Sequence, residues 1–475
     1  MSLTATLASA AAGLDLSARR AALVAENVAN ADRPGYAARR LAVDGRVGAP
    51  GDAARVQREG DPGLRQLRRD AEAHATAATE IADFHARIDR LVGAPGDAGS
   101  LTDRLARLHG ALSVAASHPN QDVHLDAAAD AAAGLADKLA GIGGAILSER
   151  QAAEDAIAGA AVEIDGALRE AASLNVEIRR VAASGGDPSD LMDRRSVVVD
   201  TIARIVPVRV LARPHDAVAL VTRDGDILLD GRVAEVSFDR TALVAADHRA
   251  PADLAGLSID GRPMATPKAE DGGRLAALFA LRDRDSVEAM DRFDAVAAEL
   301  IARSADPSID PGRGPGLPGL FTDAGGPLDP ARLPGLSARL AVDPGVDARS
   351  GGASWRLRDG LGATSPDPAA HPELILRLDA ALADRRPPAT GLGAPASLDE
   401  VMAAAAAATA AGRIGAEDRA AAAKASAATR AAAGDGAAVD VDAEMRRLLE
   451  IEQAYAANAR VIQAVGAMME RLTEI

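Results

Sequence analysis

A chain of 475 residues is long enough for several domains and more than one hydrophobic core, yet only 2% of it is aromatic. Its apolar content is carried by Ala, Val and Leu, so its cores bury little area per residue. A formal net charge of −16, with lysine only at Lys138, Lys268 and Lys424, argues against a nucleic-acid partner. The absence of cysteine excludes disulfides and thiolate metal sites, and no run approaches the roughly eighteen apolar residues of a membrane span or the layout of a secretory signal.

The first segment is helical. Leu3, Leu7, Ala10, Leu14, Ser17, Ala21, Val24 and Val28 alternate in steps of four and three, the spacing of a helix that winds around another. Asn30 is expected to end it in left-handed backbone, and Pro34-Gly35, beside Tyr36, to turn the chain. Leu41 to Pro62, rich in Gly, Pro, Asp and Arg, reads as a linker. Helical periodicity returns at Leu64, Leu67, Ile81, Phe84, Ile88 and Leu91, again at Leu101, Leu105, Leu108 and Leu112, and over a long stretch from Val123 to Val181. These helices predict a rod-like bundle.

Beyond Asp193 the period shortens. Val206, Val208 and Val210 alternate with Pro207 and Arg209, Val218 to Leu229 is split by the hairpin signal Asp224-Gly225, and Asp230-Gly231 precedes Val236 and Phe238. An antiparallel domain follows from this pattern. Helical spacing reappears at Val287, Met290, Phe293, Val296 and Leu300, after which Asp306 to Pro334 is crowded with Pro and Gly. Leu336 to Val342 and Ser354 to Leu357 read as short strands completing the β domain. Ser397 to Ala433 is an Ala-rich helix leading back.

The chain closes on one uninterrupted helix with an apolar stripe at Met445, Leu448, Ile451, Tyr455, Ala459, Ile462, Val465, Met469 and Leu472, capped by Asp440 and Asp442. Such a stripe needs a partner helix, and the first segment offers one. The expected fold is mainly α with an inserted β domain, and its topology is nested. Residues 1–40 with 438–475 form a terminal coiled coil, 63–195 with 284–304 and 397–437 an elongated helical bundle, and 196–283 with 305–396 an outer antiparallel β-rich unit.

The two ends carry a resemblance. Ser2-Leu3 through Ala12-Gly13-Leu14 to Asn27-Val28-Ala29-Asn30-Ala31-Asp32-Arg33-Pro34-Gly35-Tyr36 resembles the N-terminal signature of bacterial flagellar axial proteins. Gln453-Ala454-Tyr455-Ala456-Ala457-Asn458-Ala459-Arg460-Val461-Ile462-Gln463 resembles its C-terminal partner. In the middle, Pro188-Ser189-Asp190-Leu191-Met192-Asp193-Arg194-Arg195 resembles the Asp-Leu-Leu-Asp-Gln-Arg motif of the first hook-associated protein family, the FlgK family of the hook–filament junction. Ser117-His118-Pro119-Asn120 stands where that family has an Asn-Pro pair. The sequence departs from the pattern at Ala12 (usually Ser), Ala18 (Gln) and Ser196 (Asp).

The resemblance implies a structural adaptor, not an enzyme, joining hook to filament. Its implied partners are copies of itself in a helical tube, the flagellar hook protein, the second hook-associated protein, and a cytoplasmic export chaperone on the C-terminal helix. The implied location is extracellular, at the hook–filament junction, after type III export without a cleaved signal peptide. No cofactor, nucleic acid or membrane is expected. Two other readings are another axial protein of hook or rod type, and a surface protein whose amphipathic ends bind membrane.

Candidate assembly residues are Leu3, Leu7, Leu14, Ala21, Val28, Asn30, Tyr36, Met445, Leu448, Tyr455, Asn458, Ile462, Met469 and Leu472. Tyr455 and Asn458 lead, because a polar Asn beside a coiled seam fixes register at some cost in stability. Asp193 with Arg194 or Arg195 is a candidate charge-assisted link between the helical and β domains, against an ordinary exposed helix end. Two features are set aside. The glycine spacing of Gly314-Pro315-Gly316-Leu317-Pro318-Gly319 matches a dinucleotide fingerprint, but its prolines cannot continue into the required helix. His118 and His124, with His74, His85 and His109, lack the spacing of a zinc site.

Overall fold

The computed structural model describes residues 3–43, 54–314, 316–389, 394–433 and 439–473. Helix α1 (Leu3–Ala29) leads into an antiparallel hairpin of β1 (Arg39–Val43) and β2 (Ala54–Arg58), with Arg39 opposite Arg58 and Val43 opposite Ala54. The expected linker is therefore a paired hairpin at both ends, while residues 44–53 lie outside the described residues. Alternation within five-residue strands was hidden by the Gly and Pro around them.

Four helices follow. In α2 (Pro62–Val92) Asp61 accepts from the Gly63 N–H at 2.7 Å and Pro62 takes the first helical position, where its missing N–H costs nothing. Ser100 caps α3 (Leu101–Ser117) by accepting from Asp103 N–H at 3.2 Å. Helix α4 (Asp122–Ala183) runs unbroken for 62 residues, about 90 Å at 1.5 Å per residue, and α5 (Ser189–Ile205) folds back on it.

The inserted strands form two antiparallel sheets. One has the order β3 (Val208–Ala212), β4 (Val218–Thr222), β5 (Ile227–Asp230) and β6 (Arg232–Val233); the other joins β7 (Val236–Phe238), β8 (Leu257–Ile259) and β9 (Arg262–Pro263). Gly225, at φ +98°, occupies the expected turn between β4 and β5. Helix α6 (Arg274–Ala280) passes through a π-turn at Leu281–Asp285 into α7 (Ser286–Ser304). Then come β10 (Phe321–Asp323), α8 (Leu336–Arg339), β11 (Leu340–Val342), α9 (Arg356–Asp359), α10 (Glu373–Ala383), α11 (Leu398–Ala433) and α12 (Val441–Thr473).

Two cores are strung along α4. The first gathers Phe84 and Ile88 of α2, the four leucines of α3, Leu125 to Ala153 of α4, and Phe293 and Leu300 of α7. The second gathers Ile157 to Leu174 of α4 with α5, the two sheets and α6. Between them the π-turn aims Arg282 inward, where its Nη1 donates to Glu154 Oε2 at 2.6 Å. Beside it Arg150 donates to the carbonyls of Arg282, Ala245 and His248 at 2.8, 2.9 and 2.6 Å, so the buried charges are fully engaged.

This packing corrects one expectation. Residues 305–396 do not join 196–283 in one β-rich unit: Phe321, Leu336, Val342, Leu357 and Leu378 complete the first core, and β10 pairs only with β11. Leu336–Arg339 and Arg356–Asp359 are helical turns rather than strands. Apolar residues spaced too widely for periodicity to register are drawn onto α4 and α7 by burial alone. Helix α11 returns along α2, burying Leu398, Met402, Ala405, Ala416 and Ala420.

Candidate assembly interface and its anchor

Helices α1 and α12 pack antiparallel: Gly13 faces Asn458 and Asn27 faces Glu444, the same step along each helix in opposite directions. The seam is narrow. On α1 it holds Ala10, Ser17 and Val24, one residue in every seven; on α12 it holds Ile451 and Val465, with Asn458 midway. A Cβ on Gly13 would stand 2.6 Å from Asn458 Nδ2, so the missing side chain is the hole that admits this amide. Ser17 Oγ donates to the Gly13 carbonyl at 2.8 Å, consuming a hydroxyl that would otherwise be bare in the seam.

The other candidate residues flank this line. Leu3, Leu14, Ala21, Val28, Leu448 and Ile462 are half-buried, whereas Leu7, Met445, Tyr455 and Met469 are 37–48% exposed. Tyr455 thus faces outward while Asn458 faces the partner helix. The side chain of Leu472 lies outside the described ones, as do residues 434–438 at the expected domain edge and Pro315 of the glycine-spaced loop. Asp440 caps α12 as expected, accepting from Ala443 N–H at 3.0 Å. Asn30 ends α1 differently: its side-chain amide donates to the Glu26 carbonyl at 2.9 Å, with no left-handed residue.

At its base the coiled coil is anchored by a buried polar network. Asn27, fully buried, uses every bond its amide can make. Its Oδ1 accepts from Tyr36 Oη at 3.0 Å and Arg39 N–H at 2.9 Å, and its Nδ2 donates to the Arg39 carbonyl at 3.1 Å and Glu444 Oε2 at 3.3 Å. Glu444 Oε1 accepts from Arg40 at 2.7 Å and Arg447 at 3.0 Å. Glu444 is only 1% exposed.

The network continues into the body through α5. Arg39 donates to Asp190 at 2.8 Å and Asp193 at 3.1 Å and also pairs with Glu26, while Arg58 donates to Asp193 at 2.7 Å and to the Gly35 carbonyl at 3.1 Å. Gly35, at φ +78°, passes so close to α5 that a Cβ would lie 2.9 Å from the Asp193 carbonyl. Five elements, α1, β1, β2, α5 and α12, thereby share one set of charges.

The electrostatics hold it closed. Burial alone would weaken the Arg39 cation, but the hydrogen bonds to Asp190 and Asp193 raise its pKa above the ordinary value, and the Arg39 hydrogen bond holds Asp190 below the usual carboxylate range. Burial, reinforced by the Glu26 and Asp193 carboxylates against the opposing Arg39 cation, pushes the Tyr36 hydroxyl up to about 12 and keeps it a donor. The Arg39 guanidinium also lies 4.9 Å above the Tyr36 ring.

Asp193 is therefore a link, but to partners other than those expected. Arg194 is exposed, and Arg195 turns into the body, donating to Asn175 Oδ1 at 2.8 Å and the Asp216 carbonyl at 2.7 Å. Burial first, and then the Arg58 cation, brings Arg195 down to about 10. Sequence reasoning missed Arg39, Arg58 and Glu444. The signal available was a pair of Arg-bearing alternating stretches, Arg39-Arg40 and Arg55 to Arg58, flanking the presumed linker.

Among the described residues no cluster of three or more His, Asp or Glu could hold a metal, and no helix is long and apolar enough to cross a membrane. Residues 85–305 match the family model of the flagellar hook-associated protein FlgK helical domain, and residues 435–475 that of the flagellar basal body rod FlgEFG protein C-terminal region. No curated protein matches the chain. Among solved structures it is similar to the flagellar hook junction protein FlgK from Burkholderia pseudomallei, at 19% identity and a TM-score of 0.44, over 55% of this chain and 46% of that one. The chain thus spans under half the length of that relative. With the FlgK helical domain in its centre and an axial-protein terminus at its end, the chain belongs to the flagellar hook-associated protein FlgK family.

Proposed function

We propose that this protein is a structural subunit of the hook–filament junction and not an enzyme, assembling with copies of itself, with hook protein on one side and with the second hook-associated protein on the other. The observation that carries this is the coiled coil, whose buried seam is one residue wide. Leu7, Met445, Leu449, Tyr455, Val461, Met468 and Met469 remain exposed on its outside. An apolar surface of that extent on a thin two-helix rod calls for cover by other chains.

In this reading residues 1–40 with 438–475 lie innermost in a tube and the body projects outward. Tyr455 and the other outward residues meet neighbours, while Asn458 sets the register of the pair. Before export a cytoplasmic chaperone covers the stripe from Met445 to Leu472, and the ordering entropy of the ends is offset only on assembly. The protein then resides outside the cell in the flagellum, reached without cleavage.

The test is sedimentation with circular dichroism on the full chain and on a form lacking residues 1–40 and 440–475. The truncated form should keep the body's helical signal and lose co-assembly with hook protein. A truncation that unfolds the body, with no assembly by the full chain, removes the basis of this reading.

A further inference from the structure

The terminal unit of α1, the β1–β2 hairpin and α12 meets the body across a boundary made of charge. No hydrophobic cluster of the described residues includes any residue of 3–58 or of α12, so no apolar core spans it. Arg33, Arg39, Arg55 and Arg58 stand on the terminal side, and Asp190 and Asp193 of α5 with Asp216 of the β3–β4 turn stand on the body side. Arg39 reaches Asp190 and Asp193 at 2.8 and 3.1 Å, Arg58 reaches Asp193 at 2.7 Å, Arg55 reaches Asp216 at 2.9 Å, and Arg33 lies 3.6 Å from Asp190. Among the described residues every ion pair across the boundary thus runs one way, from a terminal arginine to a body aspartate. The bonds that hold the terminal unit together are a different set: Asn27 with Tyr36 and Glu444, and Arg40 with Glu59 and Glu444. The chain crosses from the hairpin to α2 at Glu59-Gly60-Asp61, where Gly60 has φ +121°.

We propose that this boundary is an electrostatic latch. With its ion pairs made, the terminal unit is held against α5; with them broken, it turns as a rigid arm about Glu59-Gly60-Asp61, its coil still zipped. A polar boundary between two units of one chain favours relative motion, and a hinge needs only a few residues between elements to absorb the backbone change. Gly60 is such a residue, since it holds a conformation that residues with a side chain avoid. Asp193 is the catch. At 2% exposure it is bonded by both strands of the hairpin at once, by Arg39 from β1 and Arg58 from β2. Charges parted into water regain their hydration, which keeps the open position within reach, and Arg39 retains Glu26 on its own unit. The latch belongs to the single chain and is independent of the assembly reading.

The chain has no cysteine, so introduced pairs carry spin labels at chosen positions only. Leu449→Cys with Val162→Cys, at residues 57% and 75% exposed, spans the boundary, and Leu7→Cys with Leu449→Cys lies within the coil. Double electron–electron resonance gives both distances in the full chain, with and without the combined changes Asp190→Asn, Asp193→Asn and Asp216→Asn, which remove three charges at nearly constant volume. Circular dichroism confirms folding. Without these changes the boundary pair should give one narrow distribution. With them a second, displaced population should grow at least about tenfold while the coil pair keeps its distance. A boundary distribution that stays narrow, or that is equally broad in both forms, overturns the latch. A coil pair that broadens along with the boundary pair overturns the rigid arm, because the terminal unit has then unzipped rather than turned. If the triple variant does not fold, Asp190→Asn with Asp216→Asn spares the buried catch and should move the population several-fold the same way; no movement there overturns the latch as well.

Discussion

Replacing Asp193 with Ala is the sharpest perturbation of the anchor. Its carboxylate, 2% exposed, receives charge-assisted hydrogen bonds from Arg39 and Arg58, whose side chains are 4% and 10% exposed. Removing one partner of a buried ion pair costs about 3–5 kcal/mol, because the remaining charge is left without compensation. Arg39 keeps Asp190 and Glu26, and Arg58 keeps the Gly35 carbonyl, which places the expected cost at the lower end, about 3 kcal/mol. That corresponds to an opening equilibrium shifted roughly a hundredfold. The cost should appear locally, since neither hydrophobic core includes the hairpin. Hydrogen exchange is therefore the assay. Amides of β1 and β2 should lose about two orders of magnitude of protection while those of α3 and α4 hold theirs. Arg194→Ala, at an exposed neighbour, should change protection little. If Asp193→Ala leaves the hairpin as protected as Arg194→Ala does, the network is not what holds the coil to the body.

Arg303, 2% exposed, donates to Glu299 at 2.9 Å and to the carbonyls of Asp384 and Ala396 at 2.5 and 2.7 Å; Arg303→Ala should lower the thermal transition of the first core by roughly 5–10 °C in calorimetry. Gly13→Leu should force α1 and α12 apart at Asn458, so that exchange in both helices rises while the body is unchanged. Burial holds His74 and His85 below their ordinary value of 6.5. Below that pH the unfolded chain therefore binds more protons than the folded one, and stability falls as the pH drops. Urea midpoints should decline from pH 6.5 downward, and His85→Gln should flatten the decline.

What the sequence disclosed depended on whether the signal was local. Leu101, Leu105, Leu108 and Leu112 repeat on one face, and each is buried in the first core; Asp224-Gly225 encodes a turn in two residues, and the turn is there. The coiled seam was half legible. Heptad spacing marked both helices, but a two-helix rod buries only a thin line, so periodicity could not separate Ile451, which packs, from Tyr455, which does not. The anchor was illegible for a different reason. Asn27, Arg39, Arg58, Asp193 and Glu444 belong to five elements, and each alone reads as a cap, a strand charge or a helix-surface ion. Residues 305–396 hid their core role because single apolar residues at loop spacing carry no period.

Asn27 and Glu444 meet across 417 residues of chain. In an unfolded polymer, closing so long a loop costs about 5 kcal/mol by the (3/2)RT ln n rule, more than their hydrogen bond returns. The body removes most of that cost. Once α11 has run back along α2, with Arg413 bonded to Asp89 and Ala420 near Ala82, the chain's return path heads for the end of α2 that adjoins the hairpin. The contact becomes short-range only then. The expected order of formation is therefore cores first, the base at Asn27 next, and then zipping outward toward Leu3 and Met469, which pulsed hydrogen exchange during refolding would check. In the proposed assembly, a copy whose body is misfolded would have no zipped ends to offer its neighbours, so the coil would tie incorporation of a subunit to the folding of its body.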